Sequence, residues 1–237
     1  MNSSIQIIKF TNLALAFIPV LLVVFILYKC ALNYRNALYV VFRMVVQLLL
    51  IGYCLIYIFE SNSPWMILLI LTIMVCASSW ISLQTIKAKR KVFYKRALFS
   101  ITIDGGTTLF LITQGVLDLE PWYLPRYMIP LAGMIFANAM NSVSLAAERL
   151  EAEIEKNVYY EKARGIALRA SLIPITNSLF AVGLVSLPGM MTGQILSGIS
   201  PLIAVRYQIM VMLMILGSAG ISVAIYLIFL KKIGGED

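Results

Sequence analysis

The sequence predicts an all-α membrane protein that crosses the bilayer about seven times, and three observations carry that reading. Of the 237 residues, 61% are hydrophobic and 13% are charged, with a mean hydropathy of +0.90. A soluble domain carries about 25% charged side chains, so too few polar groups are present to cover a soluble surface. The apolar residues fall into runs close to the ~20 that span a hydrocarbon core. Lysine and arginine gather in alternate connections between those runs, the asymmetry that sets orientation in a bilayer.

The runs cover residues 13–28, 37–59, 64–83, 97–116, 127–146, 172–187 and 207–230. The first is followed by Lys29 and Cys30 without a small-x-small cleavage pattern, so it reads as a retained span rather than a signal peptide. On one side the connections hold Lys29 and Arg35, then Lys87, Lys89, Arg90, Lys91, Lys95 and Arg96. Arg149, Lys156, Lys162, Arg164 and Arg169 follow, then Lys231 and Lys232 in the tail. The other side holds Lys9, Arg126 and Arg206. The expectation is an N-terminus outside, a C-terminus in the cytoplasm and a multi-pass protein of the inner cell membrane. This placement accounts for the net charge of +8 without a nucleic-acid partner. Residues 87–96 read as a topology signal in contact with anionic lipid. Trp65, Trp80, Trp122 and Tyr123 stand near span ends, as interfacial anchors do. No repeat or long linker divides residues 1–237, so a single transmembrane domain is expected.

Several chemistries find no footing. The three cysteines give neither a disulfide framework nor metal-type spacing. Histidine is absent. No nucleotide-binding loop, nucleophile elbow or H-E-x-x-H motif is present. No enzyme activity, bound cofactor or resident metal is expected, and any energy source must lie in another chain. The 12 methionines read as filler in apolar helices rather than as copper(I) ligands.

Polar residues inside apolar runs are the pathway candidates. Arg43 lies in the second run with Gln47 one turn later; a mid-membrane charge costs roughly 2.5–3.5 kcal/mol on insertion scales and faces a partner or cavity. Asp104 stands in the fourth run beside Gly105 and Gly106, and an Arg43–Asp104 pair would neutralise both. Asn138 and Asn141 share a face of the fifth run, and Asn177 and Gln194 follow. The amides suit helix packing as well as pathway lining.

Residues 147–171 form the one long connection. It begins acidic with Glu148, Glu151, Glu153 and Glu155, and ends basic with Lys162, Arg164 and Arg169. Leu150, Ile154 and Val158 recur every four residues, predicting an amphipathic helix that Gly165 interrupts. It reads as a solvated connector or as a docking helix for a cytoplasmic partner. Near the chain's end, Gly189, Gly193 and Ser197 form a small-x-x-x-small stripe after Pro188. These residues predict a helix ending near Leu187 and a half-helix starting at Pro188, for contact between helices or between two copies of the chain.

The blocks IPLAGM…NAMN within residues 120–150 and GLVSLPGMMTGQIL within residues 172–212 closely resemble the FetB-type family of ABC-transporter permeases. That family includes bacterial permeases assigned to iron export and plant aluminium-tolerance permeases. RMVVQLLLIGYCLIYIF (43–59) resembles its second span. The resemblance implies a homodimeric permease with a separate ATP-binding subunit that holds the ATP. It also implies a role in exporting iron or another metal. Residues 147–171 would then couple to the ATPase through Glu148, Arg149, Leu150, Glu151, Ile154, Val158, Tyr159 and Arg164. One departure stands out: this chain passes from EIEKNVYYEKA to RGIALRASLIP without the family's Leu-Gly-Ala-Thr-type turn. The alternatives are a permease for a nucleotide sugar or another polar anion, a non-transporting scaffold or sensor with a shortened coupling segment, and a passive channel.

Overall fold

Nine helices cover most of the chain in the computed structural model, which describes residues 8–60, 63–86 and 89–231. They form two compact units, residues 1–61 and 62–237. The first holds α1 (Phe10–Leu15), α2 (Phe17–Lys29) and α3 (Tyr34–Glu60). The α2–α3 turn closes with Ala31 in the left-handed region at φ 53°. The Leu32 N–H returns to the Leu27 carbonyl and the Ala31 N–H to that of Tyr28, which satisfies carbonyls a helix end leaves open. Tyr28 and Tyr34 meet edge to face at 5.4 Å across it. No side chain of α2 or α3 is buried, as lipid-facing helices require.

The second unit holds α4 (Pro64–Ser82), α5 (Arg90–Phe110), α6 (Pro125–Ile154), α7 (Tyr160–Ala181), α8 (Gly189–Leu196) and α9 (Pro201–Lys231). A π-helical turn, Leu111–Val116, continues α5. Helix α6 is central and packs against α4, α5, α7 and α9. Its Ala132, Ile135, Ala139, Val143 and Ala146 have no exposed surface. Lipid tails are as apolar as leucine, so burial alone drives little association; small residues that bring backbones close supply packing instead. Ala163 and Ala167 on α7, Ala204 and Ala219 on α9, and Ala97 on α5 extend this seam of small residues. At Gly105 the approach is closest: a Cβ built there would lie 2.2 Å from the Phe136 ring.

Among the described residues five stretches are long and apolar enough to cross a bilayer: Thr11–Lys29, Tyr34–Glu60, Pro64–Ser82, Pro125–Ile154 and Pro201–Leu230. The runs expected at 97–116 and 172–187 fall outside this set for different reasons. Helix α5 carries Asp104 and two adjacent glycines among serines and threonines. Helix α7 begins at Tyr160, so it gains a polar first half, and it stops at Ala181.

Two expectations about the connections are corrected. Residues 147–158 form no separate amphipathic helix, because α6 runs unbroken to Ile154. The turn closes with Asn157 at φ 59°, the Val158 N–H bonded to the Glu153 carbonyl and the Asn157 N–H to that of Ile154. Gly165 does not interrupt; it lies within α7. The helix break before Pro188 comes earlier than expected. Val182 is extended, Gly183 takes φ 81°, and Pro188 is the N-cap of α8. Gly198 at φ 88° then ends α8, with the Ile199 N–H bonded to the Gln194 carbonyl.

Candidate transport pathway and coupling face

Helix α5 brings Ser100, Asp104 and Thr108 onto one buried face at helical spacing, and α9 sets Ser218 and Ser222 on its own buried face. Asp104 has no exposed surface. Its Oδ1 accepts from the Thr108 hydroxyl at 3.1 Å and its Oδ2 from the Ser218 hydroxyl at 2.7 Å. Ser218 Oγ also lies 3.2 Å from the Ile135 carbonyl. A hydroxyl has one hydrogen, so Ser218 gives it mainly to the nearer Asp104 carboxylate or shares it with the Ile135 carbonyl, and its oxygen bridges α9 to α5 and α6. Asp104 finds these partners in its own unit without a cation. Among the described residues it is the carboxylate buried midway along the bundle, and no three His, Cys, Asp or Glu side chains come together.

The other pathway candidates are placed differently. Asn138 donates from Nδ2 to the Met134 carbonyl at 2.8 Å, so its own helix satisfies it. Asn141 and Asn177 are exposed. Arg43 and Gln47 stand one turn apart on α3 in the first unit, both exposed. Gln194, on α8, has a buried Oε1 with no hydrogen-bond partner. The Gly189, Gly193 and Ser197 stripe is exposed, and a Cβ added at either glycine would meet nothing within 4 Å. Packing between the described helices of the second unit therefore does not use it.

The opposite, basic end of the bundle is better built. Arg90 stacks its guanidinium 3.8 Å over the Trp80 ring and donates from Nε to the Trp80 carbonyl at 2.9 Å. Trp80 thus anchors the α4–α5 corner as well as an interface. Lys89 pairs with Glu151 at 2.7 Å, tying this corner to the end of α6. Buried Glu153 receives Arg149 at 2.8 Å and Lys156 at 3.7 Å. Arg164 pairs with Glu161 at 2.9 Å. Tyr160 donates to the Leu227 carbonyl and fastens α7 to α9; burial pushes its phenol above the ordinary value.

A cavity of about 210 Å³ opens at this end, lined by Lys89, Phe93, Leu150, Glu151, Tyr160 and Tyr226 among others. Of the coupling candidates, Leu150 is buried in it and Glu151 is held by Lys89. Glu148 is exposed, Ile154 is 45% exposed and Tyr159 89% exposed. Val158 is half-buried in the turn. The sequence reading missed Lys89, Tyr160, Tyr226 and Ser218. Tyr226 and Ser218 sit in an apolar run where nothing in the spacing sets them apart.

Comparison with known proteins places this arrangement. The profile of the Uncharacterised protein family UPF0014 matches residues 10–233. The chain is 37% identical to the Probable iron export permease protein FetB of Escherichia coli, over 93% of this chain and 92% of that one. It is 38% identical to the UPF0014 membrane protein slr1647 of Synechocystis over 73% of each chain. It is 36% identical to the Protein ALUMINUM SENSITIVE 3 of Arabidopsis thaliana over 88% of this chain and 81% of that one. No solved structure matches. With nearly its whole described length matched, and with its helices apolar and long enough to span a bilayer, the chain belongs to the UPF0014 family of membrane proteins.

Proposed function

We propose that the chain is the membrane subunit of an ATP-driven exporter, with iron or a similar metal ion as cargo. The similarity to a relative named for iron export supports the cargo. The observation that carries the assembly is the basic end. Helices α6 and α9, of 30 and 31 residues, are about 45 Å long at 1.5 Å per residue. A hydrocarbon core is about 30 Å thick. Roughly 15 Å of helix therefore lies outside the hydrocarbon core, at headgroup level, and at the basic end Ile154 and, just beyond, Tyr159 stand as exposed apolar groups among paired charges. An apolar centre with a charged rim is the anatomy of a protein interface. The positive-inside rule puts this end in the cytoplasm, where an ATP-binding subunit would dock. In this reading α5 and α7 also cross the bilayer, shielded by their neighbours, which brings the crossings to seven.

Asp104, with Ser218 and Thr108, is the polar station on the pathway through the second unit; Arg43 and Gln47 form a separate polar pair on α3 of the first unit. The permease works as a homodimer, with the exposed Gly189–Gly193–Ser197 stripe free for the second copy. The test is reconstitution into vesicles with and without the ATPase, following labelled iron and labelled nucleotide sugars. ATP-dependent movement of iron alone is the expected outcome. ATP-dependent movement of the sugar alone would reassign the cargo, and no ATPase copurifying from native membrane would remove the assembly.

A further inference from the structure

The break between α7 and α8 leaves a groove of about 350 Å³ against the first half of α9, lined by Leu179, Val182, Leu187, Met191, Gln208 and Met212 among others. Its wall is apolar apart from Gln208. That side chain is 5% exposed, and its Oε1 has no hydrogen-bond partner. Leaving a buried amide oxygen without a donor costs roughly 1–3 kcal/mol, and such groups in native structures call for an explanation. No neighbouring helix supplies a donor. The groove's lip is formed by Leu187, Ile209 and Leu213, which are 58%, 56% and 63% exposed. In a bilayer these residues face lipid, so the groove opens sideways into the acyl chains rather than into water.

The size is at the lower end of the ~300–1,000 Å³ of small-molecule sites, which are mostly apolar with a few polar groups that set orientation. From this combination we infer that the groove binds a membrane-dissolved amphiphile: an alkyl chain along Leu179, Met191 and Met212, with a hydroxyl or amine donating to Gln208 Oε1 once the amide turns from its buried position into the groove. The polar anchor is what separates this from ordinary solvation of a helix face by lipid. An acyl chain alone fills the apolar wall and leaves Gln208 unpaired; a donor-bearing chain satisfies both. This site is independent of the metal pathway around Asp104 and of the basic end, and it does not rest on the ATPase assignment.

The test is photolabelling of the full chain in lipid nanodiscs with a diazirine-bearing octanol, and in parallel with its methyl ether, which has the same chain and no donor. Labelled residues are read by mass spectrometry. The expected result is alcohol label on Met191, Met212 and their neighbours, displaced by 1-octanol and at least ten-fold above the ether. A diazirine octylamine should label the same residues. In Gln208→Leu the alcohol signal should fall to the ether's level. If that variant fails to fold, Leu213→Trp on the exposed lip fills the groove while leaving Gln208 in place, and it too should abolish the label. Equal labelling by alcohol and ether, label spread evenly over lipid-facing helices, or label that persists in Leu213→Trp would overturn the site. So would the absence of label here together with disulfide formation between copies of Leu213→Cys, which would show the groove covered by a second chain.

Discussion

At the residue scale Asp104 is the position whose chemistry can be separated from its packing. An asparagine there can donate to Ser218 from Nδ2 and accept from Thr108 through its oxygen, so the hydrogen bonds survive without the charge. Asp104→Asn is expected to keep the wild-type melting temperature and lose metal export; export retained at wild-type rate removes Asp104 from the pathway. Asp104→Leu removes the Thr108 hydroxyl's acceptor, at about 1–3 kcal/mol, while Ser218 keeps the Ile135 carbonyl, and the variant should melt several degrees lower in detergent. Gly105→Ala is the steric counterpart. Its methyl would collide with the Phe136 ring, and overpacking of this kind costs about 1–3 kcal/mol. A melting temperature unchanged in Gly105→Ala would show that α5 and α6 can part without penalty. Asp104 was legible in the sequence, because a carboxylate in an apolar run is conspicuous. Its partner was not: Ser218 lies 114 residues away, in an apolar run that gives its hydroxyl no distinguishing mark.

At the element scale three of the left-handed residues that close helix ends, Ala31, Asn157 and Gly198, differ in how well they suit their place. Gly198 carries no Cβ penalty, Asn157 tolerates the left-handed region, and Ala31 pays about 1–2 kcal/mol for it. Ala31→Gly should therefore raise the melting temperature, whereas Asn157→Val should lower it by the equivalent of about 1–2 kcal/mol. The reverse order in a thermal melt would mean that these turns relax. The helix ends show where periodicity falls short as a guide. The every-fourth pattern of Leu150, Ile154 and Val158 marked a helical stretch, but α6 already extends through it and turns before Val158. What stops α6 is the pair of backbone bonds around Asn157, a feature that hydrophobic spacing does not encode. The α7–α8 break, by contrast, was announced by Pro188, and only its start at Ala181, with Gly183 in the left-handed region, came sooner than the apolar run suggested.

At the scale of the whole molecule the helical membrane class and five of the seven expected spans were readable from composition and runs, because a bilayer imposes a length and a polarity on whatever crosses it; the family was readable only from the resemblance of particular blocks such as GLVSLPGMMTGQIL. The assembly at the basic end rests on surface chemistry and can be tested there. Tyr159→Ala together with Ile154→Asp should weaken ATPase copurification at least ten-fold while the permease still folds, as circular dichroism would show; undiminished copurification moves the contact elsewhere. Orientation has its own check. In a cysteine-free background, Tyr159→Cys should be protected from an impermeant maleimide in intact cells, and Asp118→Cys should be labelled. The unbroken course of α6 gives these ends a mechanical relation. Glu151, tied to Lys89 at the rim, and Ile135, beneath Ser218, ride on one rod about 24 Å apart along its axis. A subunit that tilts the rim need not melt or refold a loop to be felt at the carboxylate. In the proposed assembly it would turn a lever whose far arm carries the Ile135 carbonyl, one of the two acceptors within reach of the Ser218 hydroxyl.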